Sequence, residues 1–276
     1  MHVFNRRTAI VSLGALATSG CALDEKLRVS AASTTDVTSG TEQTQAISVE
    51  AEKLADFQRR YPDAMRPGDY VEKTQFRDVW AIRNRNRTLP RYLYNDMTWG
   101  VNFPAPNGFL TVKGGTKDDF RRIRAQLAND IDTSPWILIK GKTKPVAVVY
   151  SAWDCPYSRK MEMDMRRAGL SYYLIPSGLH ESSNATARKI YGLPQFEKYW
   201  TELLTKSLIT SPIIGKSKPY PEDAATDIAF LFIVPTGNGA PAPSTPLTIL
   251  RNGVSMEGWN TEKFLPLVRK STTYFS

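Results

Sequence analysis

The chain has 276 residues, 41% of them apolar and 23% charged, with a net charge of +9 at pH 7; this excludes a wholly disordered chain and allows one large or two small domains. A structural zinc site needs about four Cys/His ligands, and of Cys21, Cys155, His2 and His180 too few remain once an N-terminal leader is removed; no metal is expected, nor any other cofactor. The basic residues are scattered (Arg59-Arg60, Arg83 to Arg91, Arg121 to Arg124, Lys216 to Lys218) with no nucleic-acid motif among them, so no nucleic acid is expected as a partner.

The first 21 residues read MHVFNRRTAIVSLGALATSGC. A basic pair, Arg6-Arg7, precedes an apolar run from Thr8 to Ala17 and then small residues up to Cys21. That is the form of a secretory signal, and the run is too short to span a membrane. The arginine pair is similar to a twin-arginine signal, which leaves two export routes open. Ser19-Gly20-Cys21 resembles a bacterial lipobox, with Cys21 as the lipidated residue; the alternative is an ordinary cleaved signal. The expected location is the periplasm, with the protein held at the membrane through an anchor on Cys21.

Residues 22–47 are rich in Ser, Thr, Ala and Gln and are expected to be a disordered tether. Ser48 reads as the N-cap of a helix running to Arg60. Between 63 and 115, apolar groups around Trp80-Ile82, Tyr92-Leu93-Tyr94, Trp99-Val101-Phe103 and Phe109-Leu110-Val112 suggest short strands. Pro106-Asn107-Gly108 and Gly114-Gly115 mark turns. Thr116 to Ile131 is an amphipathic helix, capped by Thr116, with Phe120, Ile123, Leu127 and Ile131 on one face. Residues 48–131 are therefore expected to form a small N-terminal α+β region ending in a linker helix.

From 133 to 276 the pattern alternates. Trp136 to Ile139 and the continuous apolar run Pro145 to Tyr150 read as strands, the second buried. A helix is expected over 156–168 with Met161 and Met165 on its inner face and Met163 outside, then a strand over Leu170 to Ile175. A helical insertion covers about Asn184 to Leu208, and a further helix Glu222 to Phe232. Leu247 to Leu250 and Val254 to Glu257 flank Asn252-Gly253, a strong hairpin signal, and Thr261 to Arg269 closes with a helix. The fold class is α/β: strand, helix, strand, helical insert, hairpin and helix is the thioredoxin order.

The chemistry centres on Trp153-Asp154-Cys155-Pro156-Tyr157-Ser158-Arg159. Cys155 follows a buried strand and opens a helix, whose N–H groups and positive end favour a thiolate. Pro156 suits the first turn, where its missing N–H costs nothing. Arg159 adds positive charge one turn on, and Asp154 opposes it. Trp153 is expected to pack beside the thiol, and Ser158 to be a neutral helix residue. Thr245-Pro246 lies directly before an apolar strand, where a proline marks an edge or a special turn.

These motifs resemble the catalytic domain of periplasmic disulfide isomerases of the DsbC/DsbG type over about residues 133–270. The sequence C-P-Y-S at 155–158 is similar to that family's C-P-Y-C, Ala168 to Pro176 to the strand after its active-site helix, and Ile190-Tyr191-Gly192 with Phe196 and Trp200 to its helical insertion. Thr245-Pro246 with Leu250-Arg251-Asn252-Gly253 and Gly258 is similar to its proline hairpin. The resemblance implies a thioredoxin-like fold with a helical insertion, a redox-active Cys155, a cis bond before Pro246 set against it, and substrate contacts from Pro156, Tyr157, Thr245 and Pro246. It also implies an N-terminal dimerisation region, hence a homodimer.

Ser158 stands where the family has its resolving cysteine. A disulfide within the motif is then excluded, and what remains is one-thiol exchange: isomerisation, or reduction of mixed disulfides and sulfenic acids, on cysteine-containing envelope proteins or glutathione. The competing expectation is a non-catalytic thioredoxin-fold lipoprotein, a binding or assembly module of an envelope secretion or conjugation apparatus.

Overall fold

A computed structural model describes residues 38–60, 62, 65–85, 90–94, 99–101, 110–112, 117–232 and 244–276. Contacts divide the chain into Met1–Gln43 and Thr44–Ser276. Cys21 and the leader, Phe103, Phe109, both turns expected at 106–108 and 114–115, and the Thr116 cap lie outside the described residues.

Helix α1 spans Thr38–Arg60. Residues 38–47, expected in the tether, are therefore helical, and Ser48 lies inside the helix rather than at its cap. The stretch Glu42-Gln43-Thr44-Gln45-Ala46 holds strong helix formers that extend the amphipathic segment backwards.

Five strands follow: β1 (Asp69–Lys73), β2 (Val79–Asn84), β3 (Arg91–Tyr94), β4 (Trp99–Val101) and β5 (Leu110–Val112). They form an antiparallel meander in chain order. The side chains of β2 alternate as a strand must. Trp80 and Ile82 pack with Phe57 of α1 and Val71 of β1, while Val79 and Ala81 face the other way. Asp69 and Arg91 form a buried ion pair within this sheet.

Helix α2 (Lys117–Asp130) leads into a second sheet. Its strands are β6 (Ile137–Ile139), β7 (Pro145–Ala152), β8 (Ser171–Ser177), β9 (Leu247–Leu250) and β10 (Ser255–Glu257), in the order β10-β9-β7-β8-β6. Strands β7 and β8 run parallel, and β9 and β6 pair antiparallel to them. The connecting helices are α3 (Pro156–Arg167), α4 (Glu181–Ile190), α5 (Phe196–Lys206), α6 (Glu222–Phe232) and α7 (Thr261–Arg269). The helical insertion is thus two helices, α4 and α5, broken at Gly192, whose φ of +69° suits a residue without Cβ. In the hairpin, Gly253 has φ +85°, and a Cβ there would stand 2.4 Å from the Ala125 backbone nitrogen of α2.

The second sheet is covered on both faces. Ala147, Val149, Tyr172 and Leu174 pack against Met161 and Met165 of α3, Trp200 and Leu203 of α5, and Val268 of α7. Val148, Ile175, Leu247 and Ile249 pack with Ile123 and Leu127 of α2 and Ile228 and Leu231 of α6. Val79, Ala81 and Tyr92 of the first sheet, with Phe76 of its β1–β2 turn, join that same cluster. The change at 131–133 expected between two regions is therefore a change of sheet within one shared core. Polar contacts cross the same seam: Arg83, 2.6 Å from Glu72 within the first sheet, lies 2.9 Å from Asp227 of α6, and Tyr92 Oη donates to Asp227 at 2.8 Å. None of the described helices is long and apolar enough to cross a membrane.

Candidate functional site

Strand β7 carries the chain to the edge of the core and delivers Cys155 to the N-cap of α3 with extended backbone, φ −88° and ψ 123°. Pro156 occupies the first helical turn, where no carbonyl awaits its missing N–H. The Cys155 sulfur lies at the bend before β9, where the Thr245–Pro246 bond is cis. Cys155 Sγ donates to the Thr245 carbonyl at 3.2 Å. The side chain is 4% exposed, so the thiol is nearly covered, yet it lies against a backbone carbonyl rather than inside apolar packing.

Hydrogen bonds fix the turn that presents the thiol. Trp153 N donates to Ser177 O at 3.2 Å and its Nε1 to Ser183 O at 3.0 Å. Asp154 Oδ1 accepts from Leu179 N at 2.8 Å. Arg159 Nε donates to Trp153 O at 2.7 Å, and its Nη2 to Ser207 Oγ at 2.9 Å. Asp154 and Arg159 thus both spend their charge on holding the turn. Trp153 is half-buried beside it.

The remaining motif residues separate into outside and inside. Pro156 and Tyr157 are exposed, Tyr157 at 58%, next to the thiol. Pro246 is buried, and its carbonyl accepts from Gly258 N at 2.8 Å. Thr245 is half-buried, with no hydrogen-bond partner for its Oγ1. Ser158 is fully buried, and its Oγ accepts from Ala152 N at 3.3 Å. It is a cap on the end of β7, more embedded than the neutral helix residue the sequence implied.

Sequence reading passed over the group beneath. Glu162, seven residues after Cys155 and so on the same helical face, is fully buried. Its carboxylate accepts from Ser151 Oγ at 2.6 Å, Tyr172 Oη at 3.1 Å and Trp200 Nε1 at 3.0 Å, and Arg166 lies 3.8 Å away. Burial raises its proton affinity, which those donors and Arg166 oppose. The available signal was an acid between Met161 and Met165 on the inner face of a helix. His180 is exposed at the start of α4. Among the described residues no group of three or more His, Cys, Asp or Glu could hold a metal ion.

Glu162, Ser151, Tyr172 and Trp200 form a buried polar group in an otherwise apolar core, and Cys155 is the only thiol among the described residues. Such a thiol can exchange with a disulfide brought to the Tyr157 side, and no second thiol lies among the described residues for it to close onto.

No family model matches the chain, and no curated protein matches it. Among solved structures, the crystal structure of a disulfide interchange protein from Neisseria gonorrhoeae is similar at 20% identity, covering 51% of this chain and 99% of that one, with a TM-score of 0.42.

Proposed function

We propose that this chain is an exported, one-thiol exchange protein that isomerises disulfides, or resolves mixed disulfides and sulfenic acids, through Cys155. One observation carries the reading: the sulfur sits at the mouth of α3, 3.2 Å from the carbonyl before the cis proline, with exposed Tyr157 beside it. The clients are cysteine-containing envelope proteins or glutathione, and an anchor on Cys21 keeps the protein at the membrane.

The step balances without an external oxidant. The Cys155 thiolate attacks one sulfur of a client disulfide. The client S–S bond breaks, a bond from Cys155 Sγ forms, and the departing client thiolate takes up a proton. A second thiol of the same client then attacks the mixed disulfide, forms the new client disulfide and returns Cys155 to the thiolate. Where the substrate is a sulfenic acid, Cys155 expels its hydroxyl as water, one reduced glutathione attacks the Cys155 sulfur to free the client thiol, and a second frees Cys155 and leaves as glutathione disulfide. For an isomerase the net redox change is zero, so no second cysteine is required. Ser158 has no sulfur with which to form a new disulfide and so does not take the resolving role.

Reactivation of scrambled ribonuclease in reduced glutathione tests this. Wild type should accelerate the recovery and Cys155→Ala should not; equal rates contradict the reading. The near-complete cover over Cys155 favours a second reading, a binding or assembly module of a secretion or conjugation apparatus. Under it, Cys155→Ser would preserve the biological role.

A further inference from the structure

The segment between α5 and α6 presents its most apolar residues to water. Ile214 is 64% exposed, Ile213 37% and Leu208 53%. Exposed aliphatics are unremarkable when scattered or on a loose segment. Here they sit on a backbone that is held in place from within. The Glu202 carboxylate accepts from Thr210 N at 2.8 Å, Ser211 N at 3.1 Å and Ser211 Oγ at 2.6 Å. These bonds, those from Ser211 first, favour the carboxylate and lower its pKa to about 2. Tyr199 Oη, on a fully buried ring, bridges the tip by donating to Pro212 O at 3.0 Å and accepting from Ile214 N at 3.1 Å. At the far end Lys218 N donates to Tyr191 O at 3.0 Å, and the Lys218 stem lies over Gly192. Two polar side chains of α5 are thus used to hold an isoleucine pair outward.

The charge around that pair is of one sign. Lys206 at the end of α5, with Nζ 3.1 Å from Thr210 Oγ1, and exposed Lys216 and Lys218 flank it. The acids nearest in the chain on either side are both engaged, Glu222 with Arg188 and Glu202 with the backbone of the loop. Aliphatic tips with lysines behind them match a bilayer interface, where the tips enter the acyl boundary and the ammonium groups stay among anionic headgroups. A protein-binding hot spot would be richer in aromatics and arginine, and lysine is depleted there.

We infer that residues 206–218 form a membrane-contact loop, with Ile213 and Ile214 entering the surface of an anionic phospholipid bilayer and Lys206, Lys216 and Lys218 meeting its headgroups. This contact is separate from the anchor proposed on Cys21 and from the thiol chemistry of Cys155. Because Ser207, at the start of the loop, binds Arg159 of the active-site turn, the loop would also set how the thiol faces the bilayer.

The test uses the full chain carrying Cys21→Ser and Cys155→Ser, with a polarity-sensitive fluorophore on Ile214→Cys. This makes the readout independent of both the lipid anchor and the redox site. Phosphatidylglycerol vesicles should shift the emission to the blue; phosphatidylcholine vesicles or high salt should not. Adding Lys216→Glu and Lys218→Glu, both surface changes, should weaken the partitioning at least about tenfold. An unchanged spectrum on phosphatidylglycerol, or an equal shift on phosphatidylcholine, overturns the inference. So does a label that stays wet on vesicles but shifts with polyglutamate, which would indicate an acidic protein partner instead.

Discussion

Arg83 of the first sheet and Asp227 of α6 meet at 2.9 Å in the seam between the first sheet and the helices of the second, with Tyr92 Oη on the same carboxylate oxygen. Both members are largely shielded from water, so neither can be solvated if the other is lost.

Asp227→Ala should therefore destabilise the protein by about 3–5 kcal/mol, because it strands a buried guanidinium and a buried hydroxyl. Glu72 and Asp223, also near Arg83, soften the loss. Urea denaturation of variant and wild type measures it. A loss below about 1 kcal/mol would show that the first sheet does not depend on this pair.

The pH dependence of the same group has a definite sign. Burial outweighs Arg83 and raises the Asp227 carboxyl from 3.8 to about 6. Between those values the folded protein holds a proton that the unfolded chain releases. The contribution of Asp227 to stability is therefore fully present below pH 3.8 and declines as pH rises through 6. The decline is on the order of 2–3 kcal/mol. Asp227→Asn, which cannot titrate, should lack this slope in stability measured from pH 3.5 to 7.

Glu162→Ala should cost at least about 3 kcal/mol, since it leaves Ser151 Oγ, Tyr172 Oη and Trp200 Nε1 without their acceptor and opens a void under α3. Glu162→Gln, which retains an acceptor oxygen and the volume, should cost less. Equal losses in thermal denaturation would deny the carboxylate its part in the network.

Ser158→Cys introduces a second thiol one turn inside Cys155. The thiol at 158 should attack a Cys155–glutathione mixed disulfide, release glutathione, and leave an internal disulfide. Thiol counting after treatment with glutathione disulfide should then find no thiol at 155 or 158 and no retained glutathione. A stable glutathione adduct in this variant would mean that the two positions cannot approach.

Legibility in the sequence followed the reach of each interaction. The elements around Cys155 were readable because each has a local cause: an unbroken apolar run for β7, a proline at the first turn of α3, Asn252-Gly253 in the hairpin. β1 was missed, since Asp69-Tyr70-Val71-Glu72-Lys73 carries little apolar signal and is a strand because β2 offers it a partner. The sharing of one core by both sheets was hidden for the same reason. Tyr92 and Asp227 are 135 positions apart, and nothing local marks either as a seam residue. Within the site, Cys155 and Thr245 could be paired through the family resemblance. Glu162 could not, because an acid on a helix is ordinarily solvated, and only the packing of Trp200 and Tyr172 around it shows otherwise.

The thiol's accessibility is the point on which the account turns, given that Cys155 is only 4% exposed. Folded protein incubated with glutathione disulfide and analysed by intact mass spectrometry and peptide mapping tests it directly. The account predicts one glutathione on Cys155, formed without denaturant and released by excess reduced glutathione. An adduct at Cys155 that forms only after unfolding would contradict it.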